Sequence, residues 1–111
     1  MKKPKVNIDR DKRIKRMHSN RKLAFVIDGF SFFIESEDID FYTAVCFKPY
    51  TRENWQKALD LKRNHEREFI QREYDCTGST CVYISVSRHK YSKLYDMHNV
   101  IVIKYHCSAD V

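Results

Sequence analysis

At 111 residues, 42% hydrophobic and 14% aromatic, the chain has room for one hydrophobic core, which excludes both a multi-domain enzyme and wholesale disorder. Its formal charge of +6 is unevenly spread: residues 1–22 hold ten of the 21 basic residues and two of the 15 acids, and the remainder is almost neutral. With only two glycines, Gly29 and Gly78, a Walker loop, a dinucleotide fingerprint and a Gly-x-Ser-x-Gly elbow are all excluded.

Residues 1–22 contain Lys2, Lys3, Lys5, Arg10, Lys12, Arg13, Lys15, Arg16, Arg21 and Lys22, with Val6, Ile8, Ile14 and Met17 as nearly the only apolar positions. So sparse an apolar pattern predicts a basic, flexible N-terminal arm, of which residues 9–17 become helical only against a partner. Positive charge concentrated in one segment favours a polyanion, DNA or RNA.

Residues 23–111 read as a single α+β domain. Residues 23–35 form a hairpin around Asp28-Gly29, a pair suited to a type I′ turn because both positions need φ > 0. The register expected from that turn sets Ile27 against Phe30, Phe25 against Phe32 and Leu23 against Ile34. After an acidic connection, residues 41–48 alternate as a third strand. Thr51 is a plausible N-cap for a long helix over residues 52–74, with Trp55, Ala58, Leu59, Leu61, Phe69 and Ile70 as its buried stripe. Residues 81–87 make a fourth strand and residues 100–105 a fifth. Residues 88–99 between them are expected as a polar connection with a short helical turn at 92–97. The order β-β-β-α-β-β predicts a mainly antiparallel sheet of about five strands with one long helix packed on it, preceded by the basic arm.

Candidate chemistry is thin. The carboxylates Asp28, Glu35, Glu37, Asp38 and Asp40 gather in one turn and one loop, which suits solvated connections better than Mg²⁺. Cys76, Cys81, His106 and Cys107 are zinc-capable, but their spacing matches no compact ligand pair of pairs. The four cysteines are expected as reduced thiols in a cytoplasmic protein, since no apolar run is long enough for an export signal or a membrane span. Arg88, His89 and Tyr91 combine the residue types of a small metal-independent nuclease: His as base, Arg against phosphorane charge, Tyr for stacking. Arg88 and Lys90 serve equally as phosphate contacts without catalysis.

The reading that accounts for most of this is a small nucleic-acid-binding protein, non-enzymatic and regulatory. Its arm, with Arg88 and Lys90, neutralises phosphates, and no cofactor, metal or membrane is required. One alternative is a small inhibitor of phage or mobile-element type that binds a larger protein or nucleoprotein. The other is the nuclease.

Overall fold

Antiparallel pairing organises the chain. The computed structural model describes the backbone of residues 5–38, 41–75 and 80–109, and the side chains of residues 10–38, 42–64 and 83–107. The elements are α1 (Lys5–Ser19), β1 (Leu23–Ile27), β2 (Phe30–Glu37), β3 (Phe41–Pro49), α2 (Arg52–Asp75), β4 (Thr80–Ser92) and β5 (Met97–Ala109). The five strands form one sheet in the order β1-β2-β3-β5-β4, all neighbours antiparallel, so the protein is an α+β fold.

The first hairpin turns where Asp-Gly permits it, with φ at 49° for Asp28 and 81° for Gly29. Ile27 pairs with Phe30 and Phe25 with Phe32, as the turn dictates. Further along, the register shifts between Leu23 and Phe25, so Leu23 meets Phe33 instead of Ile34. The extra residue is a bulge in β1, which local alternation does not signal. A second bulge falls between Ile34 and Ser36 in β2.

Thr51 caps α2 as expected: its Oγ1 accepts the Asn54 N–H at 3.0 Å, and its carbonyl accepts the Trp55 N–H at 2.9 Å. α2 lays Ala58 and Leu61 on the sheet, where they join Phe30, Phe32, Ala44, Cys46, Ile84, Ile101, Ile103 and Tyr105 in the larger core. The expected contribution of Phe69 and Ile70 lies outside the described side chains. Lys62 Nζ donates to the Ile84 carbonyl at 2.9 Å, tying α2 to the edge strand β4.

The stretch 88–99 is not a connection. β4 and β5 run 13 residues each, their register is continuous from Thr80↔Ala109 to Ser92↔Met97, and the turn is confined to residues 93–96. Asp96 takes φ 52°, and Ser92 Oγ accepts the Tyr95 N–H at 3.2 Å to close the turn. An edge strand pairs on one side only, so Arg88, His89, Lys90 and Tyr91 can sit in it without an apolar alternation.

The opposite sheet face is also covered, and by the segment expected as an arm. α1 lies against β3 and β5, with Ile14 in a second core of Val45, Phe47, Tyr95, Met97, Val100 and Val102. The helix expected to form on a partner forms on the chain's own sheet.

Candidate nucleic-acid interface

Ile14, Met17 and His18 occur at i, i+3 and i+4, a narrow stripe that directs one side of α1 to the sheet. Ile14 is 8% exposed, and burying a side chain of that size stabilises by about 2 kcal/mol. His18 stacks on Phe33 with ring centroids 4.5 Å apart and lies 5.7 Å from the ring of Phe47. Its Nε2 accepts the Phe47 N–H at 3.0 Å. Only a neutral imidazole has a lone pair for that bond. Burial, reinforced by Lys48 and Arg21, lowers the His18 pKa to about 4, so the ring is neutral at physiological pH.

Two arginines fix α1 to the β4–β5 hairpin. Arg13 Nε donates to the Tyr95 carbonyl at 2.9 Å, and Arg10 Nη1 to the Asn99 carbonyl at 3.3 Å while its Nε pairs with Asp11 at 3.1 Å. Tyr95 in turn packs edge-on against Phe47 and donates its hydroxyl to Glu35 Oε2 at 3.1 Å. Glu35 Oε1 holds Lys104 Nζ at 3.2 Å. Burial works against the Lys104 ammonium, but its contacts with Tyr95 and Glu35 prevail and raise its pKa. This chain of contacts makes the helix and the hairpin turn one surface.

Between them opens a cleft of about 400 Å³ lined by Arg10, Lys12, Arg13, Arg16, Asp96, Met97 and His98. Four cationic side chains face one carboxylate there. Asp96 also accepts the Tyr91 hydroxyl at 3.2 Å, and that bond raises the Tyr91 pKa. Lys12, Lys15 and Arg16 are exposed, with no ion pair or side-chain hydrogen bond among the described residues. Exposed cations without partners among the described residues are available for charge-assisted bonds to phosphate.

The structure therefore brings together Arg10, Lys12, Arg13 and Arg16 of the expected contacts, with Lys15 beside them on the same helix. Arg21 folds back, its Nη1 donating to the Met17 carbonyl at 2.8 Å, and Lys22 is exposed beyond the helix end. Lys5 begins α1 with its side chain outside the described set, where Lys2 and Lys3 also fall. Arg88 is on the other face, its guanidinium 3.6 Å from the centroid of the Tyr50 ring, and Lys90 is exposed two residues further along β4. A ligand touching both groups of cations would have to wrap the β4 edge.

The nuclease candidates divide in the same way. His89, with Nε2 3.1 Å from Ser87 Oγ, is on the sheet face opposite Arg88, so base and phosphorane-stabilising cation do not converge. Of the zinc candidates, Cys76 and the Cys81 side chain lie outside the described residues. His106 and Cys107 are neighbours on β5 and point to opposite faces, His106 to the ring of Tyr83 and Cys107 to the larger core. Among the described residues no group of three or more His, Cys, Asp or Glu side chains could hold a metal ion. Burial raises the Cys46 thiol pKa to about 11. Among the described residues neither Cys46 nor Cys107 is in a disulfide.

Sequence reasoning did not place His18, Tyr95, Asp96 or His98 in the phosphate interface. The first carries no signal in a basic segment, and the others become legible only once the β4–β5 hairpin is known to extend to residue 92. Among the described residues no helix is long and apolar enough to cross a membrane. No protein-family model, curated protein or solved structure matches this chain.

Proposed function

We propose that this is a small, non-enzymatic nucleic-acid-binding protein of regulatory role, which holds phosphates in the cleft between α1 and the β4–β5 turn. The observation that carries the reading is the convergence of Arg10, Lys12, Arg13 and Arg16 on one cleft whose lining holds a single carboxylate, Asp96, with Asp11 paired to Arg10 beside it. Arg10 and Arg13 are held by backbone carbonyls, so their guanidinium groups are positioned before a ligand arrives and lose little entropy on binding. Lys12, Lys15 and Arg16 extend the positive surface along the exposed side of the helix. The low-pKa imidazole of His18 keeps the helix docked, so the cations form a fixed surface and not a tether.

A cytoplasmic location fits this role. Four phosphate contacts give a slope of log K on log salt near −3 for a single strand and near −4 for a duplex. Binding should then weaken roughly 50- to 150-fold between 50 and 200 mM salt. Copurification from cells tests the reading. Nucleic acid bound to the protein, read at 260 nm and displaced by salt, is the expected result. A protein partner retained after exhaustive nuclease digestion, with no nucleic acid bound at low salt, would replace this reading with that of an inhibitor or interaction protein.

A further inference from the structure

The nucleic-acid reading leaves open which form is bound, and the aromatic side chains along β4 bear on it. Among the aromatic residues with described side chains, Phe30, Phe32, Phe47, Tyr95 and Tyr105 are each no more than 5% exposed, and Phe25, Phe33, Tyr42, Tyr50 and Trp55 are half-buried. Tyr83 and Tyr91 depart from this, at 49% and 48%. Both lie on β4, eight residues or roughly 26 Å of strand apart. Each is paired across the strands with a histidine of β5. Tyr83 stacks on His106 with centroids 4.2 Å apart and planes 12° from parallel, and Tyr91 meets His98 at 4.6 Å.

Cross-strand pairing of this kind contributes a modest stabilisation and leaves about half of each tyrosine in water. Both pairs offer an unpaired base a supported, half-exposed aromatic ring to stack on. His98 belongs to both features: it stacks with Tyr91 and lines the basic cleft. A phosphate in the cleft therefore has a stacking surface beside it. In a duplex the bases already stack on one another, so a duplex can use the cations but not the tyrosines.

We infer that the ligand is single-stranded nucleic acid, with bases stacked on the Tyr91–His98 and Tyr83–His106 pairs while the Arg10, Lys12, Arg13 and Arg16 cleft holds the backbone. This rests on the phosphate reading above. Sequence preference is not required, since every base has a face to stack.

The test is fluorescence anisotropy of the full chain with a labelled oligo-dT of about 15 nucleotides and with a hairpin duplex of equal charge. Tyr91→Ala should weaken the single strand roughly 5- to 150-fold, as should Tyr83→Ala, while duplex affinity and the salt slope stay unchanged. Tyr91→Phe should restore binding, because it keeps the ring and loses only the bond to Asp96. Melting curves of the alanine variants that match the parent establish that the fold is retained. If both alanine variants bind the single strand like the parent, or if the duplex binds more tightly than the single strand, the stacking inference is overturned and the phosphate reading survives. If the parent binds neither probe at low salt, both fall.

Discussion

Acidification should loosen α1 from the sheet through His18. In the folded protein this imidazole has its pKa lowered from 6.5 to about 4 by burial, Lys48 and Arg21, and it accepts the Phe47 N–H. In the unfolded chain it titrates near 6.5. The unfolded state therefore binds the proton first as pH falls, and the contribution to stability is whole above pH 6.5 and lost progressively down to about pH 4. The unscreened difference corresponds to about 3 kcal/mol. The ring is only partly shielded from solvent, which reduces this to about 1–2 kcal/mol, or a Tm lower by roughly 4–16 °C. Thermal melts followed by circular dichroism between pH 7 and pH 4 measure it. His106, whose pKa burial and Lys104 also lower, contributes in the same direction, so the informative quantity is the difference from a His18→Phe variant. That variant keeps an aromatic ring against Phe33, is less stable at pH 7 because the Phe47 N–H loses its acceptor, and should show a shallower acid limb. Parallel acid limbs in parent and variant would refute the role assigned to His18.

Two further outcomes follow from the packing. Ile14→Ala should cost about 2–4 kcal/mol in urea denaturation, because the side chain is 8% exposed among Val45, Phe47, Tyr95, Met97, Val100 and Val102; a loss below about 0.5 kcal/mol would mean that α1 is not docked. Cys46, buried and with its pKa raised to about 11, should resist iodoacetamide at pH 8 in the native protein and react once it is unfolded, as read by peptide mass spectrometry; native labelling at the rate of a free thiol would contradict its burial.

What could be read in advance was set by local chemistry. Asp28-Gly29 fixes its own turn, Thr51 its own cap, and residues 41–48 their own alternation. The docking of α1 was hidden because its stripe is only Ile14, Met17 and His18 in a background of lysine and arginine, and so short a helix is stabilised by tertiary contact more than by propensity. The extent of β4 was hidden because an edge strand need not be apolar on both faces. The basic residues of the site were legible as charge, but their convergence on a cleft was not, since it depends on Arg13 reaching Tyr95 and Arg10 reaching Asn99 from far away in the chain. For the same reason, removing residues 1–22 would not isolate the charge: it would also strip the cover from Val45, Phe47 and Val102.

A substitution that takes charge without taking packing is therefore the cleanest probe. Lys12 and Arg16 line the cleft and make no side-chain bond to the rest of the described protein. The salt dependence of single-strand binding, measured for the parent and for the Lys12→Gln/Arg16→Gln double variant, tests the phosphate site most directly. The slope of log K on log salt should fall in magnitude by about 1.4, roughly 0.7 for each lost contact, with Tm unchanged. An identical slope in the two proteins would contradict the placement of nucleic-acid phosphates in this cleft.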